Sequence, residues 1–320
     1  MTPDNAAYSR LLRAQAKAEV LTEALPWIKT FTGATVVIKY GGNAMTTPEL
    51  QQSFADDIAF LRFAGLRPIV VHGGGPQITQ MLDRLDIPHE FIGGQRYTTE
   101  EAAQVIRMVL AGSVNRDIVA RINMNGNAAV GLSGEDADLL LAQPATTVVD
   151  GTEHSLGRVG DITSVNTDIL HELLSAGRVP VICSIAAEDG GVAGQPLNIN
   201  ADYAAASIAA AMGAHKLLIL TDVAGLYANW PDTTSLISQI DPAELRAMLP
   251  RLSSGMVPKM SAALYASEHG VEQVHIVDGR MAHSVLLEIF TTEGIGTLVQ
   301  EASAAYSPAE HPSNTIGEEA

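Results

Sequence analysis

Lys39 stands one residue ahead of a pair of glycines in Val37-Ile38-Lys39-Tyr40-Gly41-Gly42-Asn43, and a second glycine cluster closes Val70-Val71-His72-Gly73-Gly74-Gly75-Pro76. Both follow apolar, β-branched runs, so the glycines fall where a buried strand gives way to a helix. In open α/β sheets that carboxyl edge is where ligands collect. Glycine lets bare backbone N–H groups approach an anion closely, and the following helix N-terminus adds a favourable dipole. Pro76 suits a first helical position, where its missing N–H would have been unpaired anyway. One such turn is weak evidence, because tight strand-to-helix turns use glycine for structure. Two on successive strands, one preceded by a lysine, point to an anion site.

Three later segments add chemistry. Asn198-Ile199-Asn200-Ala201-Asp202 leads into an alanine-rich stretch, Ser254-Gly255-Met256-Val257-Pro258-Lys259-Met260 leads into another helical pattern, and Leu220-Thr221-Asp222-Val223-Ala224-Gly225-Leu226-Tyr227 ends a strand in a glycine-bearing turn suited to a nucleotide. Taken singly, Asp202 could merely complement a helix dipole and Lys259 could be a solvated lysine. The common phosphate-binding designs are absent: no Gly precedes Lys, as a P-loop requires, and there is no G-x-G-x-x-G. The His-Arg-Asp and Asp-Phe-Gly elements of protein kinases are missing as well.

The elements that must carry these residues alternate. Strands are expected at Thr35 to Tyr40, Pro68 to His72, Ala128 to Leu132, Val179 to Ile185, Leu217 to Thr221 and Val274 to Val277. Helices are expected at Pro48 to Phe63, Pro76 to Leu85, Thr99 to Ile122, Thr167 to Ala176, Ala201 to Met212, Pro258 to Glu268 and Ala282 to Phe290. That order indicates an α/β fold with a largely parallel sheet. Ahead of it, Leu11, Ala14, Ala18, Leu21 and Leu25 recur at helical spacing within Tyr8 to Leu25, with Pro26 following, and predict an arm packed on its own domain or on a neighbouring subunit. Residues Ser303 to Ala320 are small, polar and acidic, and are expected to be disordered.

Composition narrows the function classes. A chain of 320 residues with 47% hydrophobic and 17% charged residues can bury one large or two modest cores. A formal charge of -17 with no basic run disfavours nucleic acid or an anionic membrane surface as partner. No apolar stretch approaches the roughly 18 residues of a membrane span, and Arg10, Arg13, Lys17, Glu19 and Glu23 break up any signal-peptide core. The expected address is the cytoplasm. Cys183, the only cysteine, sits in an apolar run and is expected to pack rather than react.

In order along the chain, the motifs beginning at Val37, Val70, Gly94 (Gly-Gln-Arg-Tyr-Thr), Asn198, Leu220 and Gly255 resemble those of the amino acid kinase superfamily from Phe31 to Val299. Within it, they resemble the branch that acts on N-acetyl-L-glutamate in arginine biosynthesis, and the arm before Lys39, with His283 to Phe290 and Gly294 to Thr297, resembles the arginine-inhibited members of that branch. The resemblance implies a three-layer αβα sandwich around a largely parallel open sheet with an N-terminal helical arm. It divides the chain into an arm (1–30), a lobe for acetylglutamate binding and dimerisation (31–212), an ATP lobe (213–302) and a tail (303–320). It implies transfer of a phosphoryl group from ATP to a carboxylate, with Lys39 and Lys259 flanking that group and Asp202 orienting both lysines. Gly41 and Gly42 would receive phosphate oxygens, while Thr221, Asp222, Gly225, Leu226, Gly255 and Met256 would serve ATP. Gly74 and Gly75 would hold the substrate, Arg96 its α-carboxylate and Asn198 its other end. Mg²⁺ would arrive on ATP, held mainly by phosphates, with no protein ligand. His283 and Glu288, with Gly294 nearby, would line an arginine site, and the arms would interlace dimers into a hexamer, a trimer of dimers.

Overall fold

The computed structural model describes residues 3–45, 47–192, 194–253, 255–291 and 294–301, and the tail from Ser303 lies outside them. In chain order the elements are α1 (Pro3–Phe31), β1 (Thr35–Tyr40), α2 (Pro48–Phe63), β2 (Arg67–His72), α3 (Gly75–Arg84), β3 (Glu90–Ile92), β4 (Gln95–Tyr97), α4 (Glu100–Arg107), a π-helical segment (Met108–Val114) and α5 (Asn115–Asn123). They continue with β5 (Ala129–Ser133), β6 (Leu140–Val149), β7 (Thr152–Val165), α6 (Asp168–Ser175), β8 (Val179–Cys183), β9 (Ile185–Glu188), β10 (Pro196–Ile199), α7 (Ala201–Ala211) and β11 (Lys216–Thr221). The remainder are β12 (Leu226–Tyr227), β13 (Leu236–Ile237), β14 (Gln239–Ile240), α8 (Pro242–Met248), α9 (Val257–Glu268), β15 (Gln273–Asp278), α10 (Ser284–Phe290) and β16 (Thr297–Val299).

Among the described residues one eight-stranded sheet runs β14-β16-β15-β11-β1-β2-β8-β5. Its pairs are parallel except β15 with β16. Alternate side chains of β1 enter different cores: Val36 and Ile38 meet Phe54, Ile58 and Ile106, while Val37 joins Ala205, Ile208 and Met260. Helices therefore cover both faces, giving three layers, and the near-continuous apolar runs of β1, β2 and β11 follow from burial on both sides. Each fully buried Val or Ile here contributes about 1.5–3 kcal/mol relative to exposure.

Strand order is what places the site. From β1 the chain adds β2 beside it, then β5 at the edge and β8 between the two, and returns to add β11 on the other side of β1. A crevice opens at the carboxyl ends of the strands where the winding direction reverses. A second unit, the closed ring β10-β7-β6-β9, stands beside the sheet. Its long hairpin turns at Asp150 (φ 50°) and Gly151 (φ 77°), the left-handed pair that a two-residue Asp-Gly turn provides.

Three expectations are corrected. The arm helix extends beyond Tyr8 to Leu25: α1 runs through Pro26 to Phe31, because Trp27, Ile28 and Phe31 anchor its last turns on the core, with Trp27 stacked on Phe31 at 5.9 Å. The single helix expected over Thr99 to Ile122 is two helices joined by the π-helical segment. The expected strand Val179 to Ile185 divides at Ser184, whose N–H donates to the carbonyl of His72 at 3.1 Å, so that β9 leaves the large sheet for the ring. Cys183 is buried, and burial pushes its thiol up to about 11. Among the described residues no helix is long and apolar enough to cross a membrane.

Asp57 on α2 is tied to the loop before α10, accepting from His283 Nδ1 at 2.6 Å. Burial raises its carboxyl to about 6, against the opposing pull of His283. The folded state thus binds this proton more tightly than the unfolded chain does, so Asp57 adds stability in acid that is lost as pH rises through about 6. Between pH 4.5 and 7 the unfolding free energy should fall by about 2 kcal/mol more in the wild type than in Asp57→Asn. Denaturant titrations across that range test this, and parallel curves would refute it.

Candidate active site

Lys39 ends β1 on the face turned toward α7 and α9, and its side chain is only 7% exposed. Asn200 starts α7 by accepting the N–H groups of Asp202 and Tyr203 at 2.8 and 3.2 Å, which fixes Asp202 in the first helical turn. Lys259 occupies the first turn of α9, just after Pro258. Three elements thereby converge on one carboxylate: Asp202 Oδ1 stands 2.9 Å from the Lys39 ammonium and Oδ2 stands 3.2 Å from that of Lys259. Burial alone would raise the Asp202 pKa, yet the two ammoniums overcome it and hold the carboxyl below its usual range. Burial lowers the Lys39 pKa; Asp202 opposes the shift and Lys259 adds to it. The result is a fixed cluster with one net positive charge, suited to an anion.

The glycine turns close around it. A side chain at Gly41 would stand 3.5 Å from the Lys39 Nζ, and one at Gly73 would stand 3.2 Å from the Ala201 Cβ. Gly42 has φ 64°, the left-handed region that other residues rarely adopt. Lys39, Gly41, Gly42, Gly74, Gly75, Arg96, Asn198, Asp202 and Lys259 all line a single cleft of about 1020 Å³.

Arg96 reaches the cleft from the β3–β4 hairpin. Its Nη2 donates to Thr79 Oγ1 at 2.6 Å and its guanidinium lies 4.8 Å from the Phe91 ring centroid. Its Nη1 is buried without a partner, which leaves a donor for an incoming carboxylate. Asn198, on β10, faces the same cleft from the ring of strands. Sequence reasoning passed over Gln77, Thr79, Phe91 and Ser184, which also line it. Gln77 and Thr79 follow Pro76 in the opening turns of a helix set on a glycine cluster, a placement that could have flagged them.

The residues expected to serve ATP sit at the same sheet edge but outside that cleft's lining. Thr221 ends β11 and donates to Asp222 Oδ1 at 3.2 Å, and Gly255 and Met256 precede α9. Leu226 is 2% exposed, and its N–H donates to Thr297 Oγ1 at 2.8 Å. Gly225 is needed there for packing, since a Cβ would meet that same hydroxyl. The three effector candidates are engaged within the fold. Glu288 is buried, accepting from His275 Nδ1 at 2.6 Å and from the N–H groups of Ile295 and Gly296 at 2.7 and 3.1 Å. Gly294 adjoins it, whereas His283 turns to Ser53 and Asp57.

The buried charge cluster has a stability signature. Asp202→Leu strands the Lys39 ammonium without its counter-charge and should destabilise the fold by about 3–5 kcal/mol. Lys39→Met combined with Asp202→Leu should cost less than Asp202→Leu alone, because Lys259, 21% exposed, can rehydrate. Urea unfolding of the three proteins checks this, and simple additivity of the two losses would contradict it.

With the geometry in place, comparison with known proteins is direct. An acetylglutamate kinase from Arthrobacter sp. (strain FB24) is 60% identical over 289 residues, covering 89% of this chain and 93% of the relative. One from Paenarthrobacter aurescens (strain TC1) is 56% identical over 306 residues, covering 93% and 97%. Among solved structures, N-acetylglutamate synthase from Neisseria gonorrhoeae, complexed with coenzyme A and N-acetyl-glutamate, superposes with a TM-score of 0.75 at 28% identity. It matches 89% of this chain, which spans only 63% of the synthase's length. Carbamate kinase from Giardia lamblia shares the fold, with a TM-score of 0.60 at 18% identity over 84% of this chain and 99% of that one. The profile of the amino acid kinase family matches residues 34–278, the span that carries both lysines, Asp202 and the glycine turns, and the chain belongs to that family.

Proposed function

We propose that the chain transfers the γ-phosphoryl group of ATP to the γ-carboxylate of N-acetyl-L-glutamate, giving N-acetyl-L-glutamyl 5-phosphate, a step of arginine biosynthesis. The observation that carries this reading is one cleft holding the Lys39–Asp202–Lys259 cluster and an uncommitted Arg96 donor. The names of the 60% and 56% identical relatives support the choice of acceptor.

A carboxylate acceptor is ionised at neutral pH, so the site needs no general base. The difficulty is charge: the transferring group spreads negative charge over its equatorial oxygens, and fixed cations and backbone N–H groups must oppose it. Lys39 and Lys259 fill that role from two sides. Asp202, with each oxygen against an ammonium, acts as a positioning anion. Gly41 and Gly42 receive phosphate oxygens, and Gly74 and Gly75 hold the acceptor. Arg96 clamps its α-carboxylate, with the planar fork that suits bidentate pairing, and Asn198 binds its other end. Thr221, Asp222, Gly255 and Met256 border the nucleotide. The cleft presents ammoniums and amides, a donor set for phosphate rather than for a bare cation, so Mg²⁺ is held through ATP. The division of labour places acetylglutamate on 31–212 and ATP on 213–302.

We also infer arginine inhibition and a hexamer built as a trimer of dimers. Exposed Leu12, Val20, Leu21 and Leu25 along α1 favour a second copy against the arm. Glu288 beside Gly294 marks the region where arginine would act.

Incubation with ATP, Mg²⁺, N-acetylglutamate and hydroxylamine should yield an acyl hydroxamate, with Lys39→Ala at least about 100-fold slower; equal signals from both proteins would refute the reading. Arg96→Lys should raise KM for N-acetylglutamate about 10-fold or more while leaving KM for ATP within about 2-fold. Deleting Met1 to Leu25 should reduce the subunit count in sedimentation and weaken the arginine response. Unchanged assembly and unchanged inhibition would remove the arm from the account.

A further inference from the structure

His72 and Asn115 are both fully buried, do not themselves line the cleft, and form a chain of hydrogen bonds that ends on the glycine turn. Arg116, which can only donate, bonds to Asn115 Oδ1. The Asn115 amide nitrogen is therefore the atom facing His72 Nε2 at 3.0 Å and the Val181 carbonyl at 2.8 Å. Nε2 must then accept, which leaves the proton on Nδ1, and Nδ1–H donates to the Gly73 carbonyl at 2.9 Å. Burial keeps the imidazole neutral by lowering its pKa to about 4, so this tautomer persists across the physiological range.

The consequence is stereochemical. A planar trans peptide directs its C=O and N–H to opposite sides. The Gly73–Gly74 peptide is trans, and its carbonyl is held toward the buried imidazole, so the Gly74 N–H points away from His72; Gly74 itself lines the cleft. Two packing facts keep the relay in register. Gly131 on β5 leaves room for it, since a Cβ there would collide with both Asn115 and Arg116. The π-helical segment brings Leu110 to within 2.7 Å of where a Gly74 Cβ would be and delivers Asn115 at its end.

We propose that Arg116, Asn115 and His72 are positioning residues that set the direction of the Gly74 N–H and thereby present it to the acceptor carboxylate. This rests on the function proposed above as far as the acceptor is named; the orientation of the peptide does not.

Two substitutions separate positioning from mere stability. In His72→Asn the side-chain nitrogen falls near the place of Nδ1 and keeps the donor to Gly73 while losing Asn115. In His72→Gln the amide reaches toward Asn115 and loses Gly73. Each leaves one buried partner unmatched, so their melting temperatures should fall alike, but their kinetics should not. His72→Gln should raise KM for N-acetylglutamate about 30-fold or more with KM for ATP unchanged, and His72→Asn should recover most of that loss. Arg116→Ala, at an exposed position that the fold tolerates, frees the Asn115 amide to flip and should raise the same KM about 3-fold to 10-fold. Equal effects of Asn and Gln at position 72, or an Arg116→Ala enzyme with an unaltered acceptor KM, would overturn the proposal. A crystal structure of His72→Gln should show the Gly73–Gly74 peptide rotated. An unrotated peptide overturns the proposal whatever the acceptor proves to be, whereas a wild-type enzyme that forms no hydroxamate counts against the proposed function alone.

Discussion

One buried carboxylate between two ammoniums is the constraint on which the rest of the structure depends. Asp202 holds Lys39 and Lys259 adjacent, at 2.9 and 3.2 Å, and opposes the burial that lowers the Lys39 pKa. Removing such charges from water is costly, and their attraction repays it only when geometry is good and the remaining bonds are made. Each member sits at the end of a regular element: the last turnward residues of β1 and the first turns of α7 and α9. Those ends meet because the sheet reverses its winding beside β1.

The glycine turns serve that cluster by their lack of side chains. Gly41 and Gly73 leave room for the lysine and for the start of α7, while Gly42 supplies a left-handed backbone. Direction comes from elsewhere. His72, invisible from the cleft, holds the Gly73 carbonyl and so decides which way the next amide faces. A phosphoryl-transfer site of this kind has little covalent work to do, and most of its action is placement of charge. Placement in turn reaches back through Asn115 to the helix breaks and strand gaps that accommodate it.

Much of this was legible in the sequence. The strands at β1, β2, β11 and β15 are buried on both faces and read as largely apolar runs, and Pro48 and Pro76 mark helix starts with little ambiguity. Lys39, Lys259 and Asp202 stood out because each lies within two residues of a glycine, proline or capping residue at an element boundary. The ring β10-β7-β6-β9 was missed because its strands are short or half exposed and lack a continuous apolar run, although Asp150-Gly151 announces its hairpin. The helix continues through Pro26 for a physical reason: anchoring by Trp27, Ile28 and Phe31 outweighs one lost backbone bond.

The most direct test of the account is a crystal structure with ADP, Mg²⁺, N-acetylglutamate and a planar aluminium fluoride in place of the transferring phosphoryl group. The account predicts Lys39 Nζ and Lys259 Nζ each within about 3.2 Å of a fluoride, with Asp202 touching both ammoniums and no atom of the substrate. A carboxylate of Asp202 bonded to the acceptor, or either lysine turned away from the planar group, would contradict it.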